Sequence, residues 1–377
     1  MKSKSINETR KRIEIIDILR GWALLSVVIV NFAIFYSYHK VVRIPENDLL
    51  SKITKGLVQV FFQTKGWTLL ALVFGYGFSS LMQSITENGL NTVVLFTKRM
   101  FWLLIIAIVN CAFYYGDVLK DYVLVGMVML LFYKISGNTA LLFSLLLFIL
   151  FPAIIPLAQS FQYNPFQDAD IALYHSSKIL DVLKYGLQSG LHIFFQVSKI
   201  ADWNLVMLCC AFMGMYLHKV GFFENILEYK QSVKRIFWYS LIFFIFAATL
   251  NGISGTIKFS NNKDLTDYYK VELWFLLGQM VFFSSGICWV YLTGKFQKVL
   301  EAFRLVGRMT LTNYLLQNLI AMIIFSGAGL HLLYKIPYST HVIIAIVLFV
   351  LQVGFSKWWL TKYKIGPMEL IWRKWSK

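Results

Sequence analysis

The stretch IDILRGWALLSVVIVNF, residues 16–32, reads as a membrane-crossing helix with three polar intruders. Its Ile, Leu, Val and Phe side chains suit a bilayer core, yet Asp17, Arg20 and Asn31 stand among them. A charged side chain near the bilayer centre costs roughly 2.5–3.5 kcal/mol on insertion scales. At 100° per residue, with Asp17 at zero, Arg20 falls at about 300°, Gly21 at about 40° and Asn31 at about 320°. The polar groups therefore share one face. Asp17 and Arg20, three residues apart, can pair near the start of the helix, and Asn31 lies ~21 Å further along the axis. Two readings of this face stay open. It is either a structural clasp with an interhelical amide contact, or the wall of a polar cavity running from the cytoplasmic surface to a reaction centre near Asn31.

The same apolar character extends over the chain. Of 377 residues, 58% are hydrophobic and 15% charged, with mean hydropathy +0.63, where soluble domains carry about 25% charged residues. Apolar stretches at about 15–38, 66–85, 99–115, 118–134, 138–158, 203–219, 235–253, 272–293, 309–330 and 339–360 are each long enough to span a bilayer. They predict an all-α polytopic membrane bundle of about ten transmembrane helices, in one integral domain over 1–377. A basic segment, 1–14, precedes the bundle at 15–360, and an amphipathic tail follows at 361–377. The net charge of +17 reads as cytoplasmic loops rich in Lys and Arg, with both termini inside. Nucleic acid is not an expected partner, because no basic tract alternates with aromatics in a soluble domain. Lys40, Arg43, Lys52, Lys55 and Lys65 break the charge rule and read either as an ordinary solvated outer loop or as a loop that receives an anionic partner. An amphipathic stretch near 178–199 is expected on the membrane interface or re-entering. Asp17 and Arg20 interrupt what a signal peptide would keep apolar, so the first helix is expected to remain. Cys111, Cys209, Cys210 and Cys288 fall in apolar runs and read as small core residues.

Three further stretches carry polar groups. YYGDVLKDYVLVG, 114–126, is a tight turn in which Gly116 permits the bend and Asp117 either caps the next helix or is a catalytic Asp; Tyr122 faces partly back toward Asp117. GRMTLTNYLLQN, 307–318, places Thr310, Asn313, Tyr314 and Gln317 at helical spacing, a stripe that in lipid must face protein or water. It reads as a cavity lining with Arg308 at its mouth, suited to a phosphate or carboxylate. Glu272 opens the eighth span, either as a cavity group or as a helix N-terminal acid. LVFGYGFSS, 72–80, reads as close helix packing at Phe74–Gly77, and YKIGPMELIWRKW, 363–375, as an interfacial anchor. No His-x-x-x-His pair, Walker loop, dinucleotide fingerprint or G-x-S-x-G elbow is present, and no metal is expected.

DILRGWALLSVVIVN, VFGYG, YYGDVLKDYVLVG, GRMTLTNYLLQ and IGPMELIWR, in this order, resemble the YeiB-like family of bacterial membrane proteins, a domain-of-unknown-function family. That family is similar in turn to the transmembrane acyltransferases, including heparan-α-glucosaminide N-acetyltransferase, which shares the first-helix pattern of Asp, Arg-Gly and a later Asn. The resemblance implies acyl-CoA, presumed acetyl-CoA, entering from the cytoplasm, with transfer to an acceptor near the outer half. By it, Asn31 occupies the active centre and Arg20 lies along the CoA approach. The acetyltransferase places a His shortly after that Asn; the nearest here is His39, at a different spacing.

Acyl transfer needs a base for the acceptor and donors for the developing oxyanion. The expected catalytic set is Asn31 as donor with His39 or Asp117 as base. Arg20 and Arg308, with Asp17 beside Arg20, are expected to hold the CoA phosphates, and Tyr122, Thr310, Asn313, Tyr314, Gln317 and Glu272 to line the cavity. The expected partners are the bilayer of a bacterial cytoplasmic membrane, a small-molecule, glycan or lipid acceptor, and a second copy in a homodimer. The alternative is a transporter or exporter of a small anionic or amphipathic molecule.

Overall fold

Proline and backbone capping set where the apolar runs break in the computed structural model, which describes residues 13–37, 49–160, 164–259 and 263–376. The helices are α1 (Glu14–Ser37), α2 (Leu49–Phe61), α3 (Lys65–Glu87), α4 (Thr92–Phe113), α5 (Leu119–Leu131) and α6 (Gly137–Gln159). They continue as α7 (Ile179–Phe195), α8 (Val197–Lys199), α9 (Leu205–Lys219), α10 (Lys230–Ser254), α11 (Leu265–Tyr268) and α12 (Glu272–Thr293). The last four are α13 (Gln297–Gly307), α14 (Thr310–Phe325), α15 (Tyr338–Lys362) and α16 (Pro367–Trp375). One π-helical turn, Ile200–Asn204, leads into α9. Among the described residues the only β pairing is an isolated bridge, Lys258–Asp264.

Local chemistry explains the boundaries. Asn91 and Ser136 cap α4 and α6 by accepting from Val94 N and Thr139 N, each at 3.1 Å. Gly294, at φ 70°, ends α12 in the left-handed conformation that a glycine takes without strain. Pro367 opens α16 where no amide partner is needed.

Eight segments among the described residues are long and apolar enough to cross a membrane. They comprise α1, the α2–α3 segment, α4, α6, the π-turn with α9, α10, α12 and α15. The chain is an all-α membrane helix bundle. The two other expected spans form helices, but α5 has 13 residues and α14 has 16. The start of α5 lies inside the bundle. Tyr114, Tyr115 and Asp117 are buried, and Gly186 and Gly190 of α7 pack against Cys111, Ala112 and Tyr115.

The amphipathic stretch at 178–199 forms a helix, α7, docked on the end of α4. Of the expected outer loop, Lys40 and Arg43 lie outside the described residues, and the remainder is corrected. Residues 49–61 form a helix that exposes Leu49, Leu50, Ile53 and Leu57, and Lys65 is fully buried. Its ammonium donates to the carbonyls of Gln59 and Gln63 at 3.1 and 3.2 Å, at the end of α2. The four cysteines are free and buried.

Small residues bring the helices together. A Cβ on Gly75 would stand 2.0 Å from the Ala211 carbonyl, and one on Gly214 would stand 1.9 Å from that of Leu72, so α3 and α9 touch backbone to backbone. Gly21 and Gly307 do the same for α1 and α13. Two cores result. One centres on α3, α5, α6 and α9, the other on α1, α14 and α15 with the Tyr114–Tyr115 turn.

Candidate functional site

The turn between α4 and α5 holds the most concentrated chemistry. Gly116 allows the reversal: a Cβ there would meet the Tyr114 ring at 2.8 Å. Asp117 follows, wholly buried. Its Oδ1 accepts from Asn110 Nδ2 at 2.6 Å and from the Tyr314 hydroxyl at 3.0 Å, and its Oδ2 accepts from Leu119 N at 3.1 Å. The Tyr314 oxygen in turn accepts from Val118 N at 3.2 Å, and the Lys120 ammonium donates to the Asp117 carbonyl oxygen. Asp117 thus caps α5 and ties it to α14 across 197 residues of sequence. Burial pushes its carboxyl above the ordinary carboxylate range; the Lys120 charge and the three donors act against that rise.

One turn on, Lys120 and Asp121 form a buried ion pair, Nζ to Oδ2 3.7 Å, and Asp121 Oδ1 accepts from Asn204 at 3.3 Å. Both residues line a cleft of about 10 Å³ with Gly116, Phe194, Lys199 and Trp203, the size of about one water. Trp203 stacks on Trp67 at 5.8 Å. Lys120 and Lys199 sit over the Phe194 and Trp203 rings. The carboxylate at an opening is therefore Asp121, while Asp117 behind it is committed to bonds.

The other expected residues divide. Arg20 pairs with Asp17 at 3.4 Å, and Gly77 leaves it room, since a Cβ there would stand 3.6 Å from Nη2. Asn31 is half-buried and makes no hydrogen bond among the described residues. His39 lies outside the described residues. Tyr122 donates to the Trp67 carbonyl at 3.0 Å rather than to Asp117. Thr310 donates to Gly307 O. Asn313 donates to Val306 O and Ser356 Oγ, Gln317 donates to Gln352 Oε1 at 2.9 Å, and Gln352 donates to Asn313 O. These bonds zip α14 to α15. Glu272 is exposed at the first turn of α12, the helix N-terminal reading. Arg308 donates to Lys364 O at 3.1 Å.

The tail segment is more than an anchor. Glu369 accepts from Leu311 N, Thr312 N and the Thr312 hydroxyl at 2.7, 3.2 and 2.6 Å, so α16 supplies the N-terminal cap of α14.

Three polar contacts escape a reading by local pattern. Asn110 holds Asp117 from the last turn of α4. Ser79 Oγ and His218 Nδ1 meet at 2.8 Å between α3 and α9, and His175 and His331 meet at 2.7 Å between two loops. Only the composition of 114–126 hinted at Lys120 and Asp121.

Residues 217–377 match the family described as a protein of unknown function, DUF418. The chain is similar to the uncharacterized protein YxaH of Bacillus subtilis (strain 168), with 28% identity over 409 residues, covering 99% of this chain and 96% of that one. It shows 26% identity over 365 residues to an uncharacterized 39.9 kDa protein of the amylase 3' region of Bacillus acidopullulyticus, covering 96% and 93%. Over 79 residues, 20% of each chain, it is 37% identical to the uncharacterized protein YeiB of Escherichia coli (strain K12). The YeiB-like resemblance drawn from the five motifs is borne out by these matches.

Proposed function

We propose that this chain is a transmembrane acyltransferase of a bacterial cytoplasmic membrane, moving an acyl group, acetyl in the first instance, from cytoplasmic acyl-CoA to an acceptor near the outer half. In this reading α5 and α14 complete ten spans, with both termini cytoplasmic. The supporting observation is the Lys120–Asp121 pair at the cleft, braced from behind by a fully bonded Asp117. An acceptor hydroxyl or amine reaching the mouth of that cleft gives its proton to Asp121 as it attacks the thioester carbonyl; the C–S bond of the tetrahedral intermediate then breaks, and the departing CoA thiolate takes that proton from Asp121 and leaves as the thiol. The Asn31 amide, unbonded among the described residues, serves as an oxyanion donor, and Arg20 and Arg308 receive the CoA phosphates. Asp117 acts as a positioning residue through Tyr314 and the start of α5. The acceptor is a small molecule, glycan or lipid, and the oligomer to test is a homodimer.

The test is calorimetry of acetyl-CoA and longer acyl-CoAs with purified protein. Saturable binding is expected, weakened by Arg20→Ala and retained by Asn31→Ala, with transfer lost in Asn31→Ala and Asp121→Asn. Well-folded protein that binds no acyl-CoA, yet moves a small anion across liposomes, would establish the transporter instead.

A further inference from the structure

A cavity of about 400 Å³ lies between α6 and α9 on one side and the α10–α12 hairpin on the other, with Leu72 of α3 behind it. Its existence follows from how the hairpin is attached. Pro156 and Pro152 in α6 lack the amides that would bond the carbonyls of Pro152 and Phe148 four residues earlier. The segment entering α12 and its first turn take both. Lys270 N donates to Pro152 O at 2.9 Å and Trp274 Nε1 to Phe148 O at 3.1 Å, while the Tyr269 hydroxyl reaches Ile149 O at 2.8 Å. Phe148 also stacks on Trp274 at 5.9 Å. The hairpin is pinned there. Below the pin it stands off from α6 and α9, and the gap is the cavity.

We propose that this cavity holds one acyl chain of an anionic bilayer phospholipid. The lining is hydrocarbon, sulfur and ring atoms apart from a few hydroxyls. Two of these are already committed, Ser144 to Cys209 O at 2.9 Å and Ser240 to Phe237 O at 2.9 Å. Water finds too few partners in such a space. The volume falls within the roughly 300–1,000 Å³ of ligand sites. A transmembrane helix, ~10 Å across and ~30 Å long, displaces roughly 2,400 Å³ and does not fit. The mouth opens sideways between Leu145 and Tyr239, which are 46% and 68% exposed. Only 11% of the most apolar window of α10 is buried, so the mouth faces lipid.

Charge supplies the headgroup. Exposed Lys234 and Arg235 immediately precede the lining residues Ile236 and Tyr239, and Lys230 opens the same helix. They stand where a phosphate would lie when its chain fills the gap. This site is independent of the acyl-transfer reading.

The experiment reconstitutes full-length protein in vesicles with phosphatidylglycerol carrying a diazirine on one acyl chain, and maps the photolabelled residues. Labelling of Leu145, Cys210, Tyr239 and Met280 is expected, falling about fivefold in Ser240→Phe and in Met213→Trp, which fill the gap from opposite walls. Labelling of Ile242 and Phe246, on the exposed face of α10, serves as the internal control and is expected to persist. Labels confined to that outer face, or unchanged in a folded filled variant, overturn the proposal. Equal labelling by the phosphatidylcholine analogue overturns the anionic headgroup, and displacement by palmitoyl-CoA in preference to phosphatidylglycerol overturns the bilayer source.

Discussion

Asp117 and Gln279 are two buried polar side chains with opposite balances. Asp117 carries three donors on its carboxylate, yet its desolvation still outweighs them. The native state therefore holds that proton more tightly than the unfolded chain. Stability falls as pH climbs from the unfolded carboxylate value, roughly 3.9, toward the raised folded one. Asp117→Asn cannot titrate. The melting temperature of the wild type minus that of the variant is expected to drop as pH rises above the unfolded carboxylate value, and a flat difference would refute the raised carboxyl. Gln279, wholly buried in α12, has neither amide atom bonded among the described residues. Gln279→Leu keeps the shape and removes the unpaired groups, so thermal unfolding in detergent is expected to show a gain of about 1–3 kcal/mol.

At the scale of helices, contact is decided by absent atoms. A Cβ on Gly307 would stand 1.8 Å from Asp17 O, a backbone atom that cannot swing away. Gly307→Ala is expected to cost about 1–3 kcal/mol or more by forcing α1 and α13 apart. Gly252→Ala in α10 meets nothing within 4 Å and is expected to gain about 0.5–1 kcal/mol. Melting curves of the two variants measure the contrast. Glu369→Gln, which keeps the shape but loses the charge at the start of α14, is expected to cost about 0.5–2 kcal/mol in the same assay.

Helices were readable where their cause is local. The run lengths placed all ten stretches on helices, and the i, i+3 spacing of Asp17 and Arg20 foretold their pair. Amphipathic α2 was missed because Lys52 and Lys55 mask its apolar positions. The stripe on α14 was legible as polar, but whether it faced water or protein depended on Ser356 and Gln352, some 40 residues away.

For the whole molecule, long-range partners carry what the sequence hid. Tyr314 reaches Asp117 from 197 residues away, and the carbonyls that two prolines release in α6 are claimed only from the segment entering α12 and its first turn. Such pairings follow from the bundle's topology rather than from any window of residues. The Asp117 turn was legible as a concentration of polar groups, yet its division into a committed Asp117 and a cleft-lining Asp121 required the partners in space.

The Glu369 cap has a consequence in time. Glu369 follows Thr312 by 57 residues, so at roughly 5–20 residues per second the ribosome adds it about 3–11 s later. Until then the short α14 emerges with its first amides unsatisfied, and its final seating must await the synthesis of α16. A chain truncated before residue 369 is thus expected to show faster hydrogen exchange at the Leu311 and Thr312 amides than a chain that includes α16.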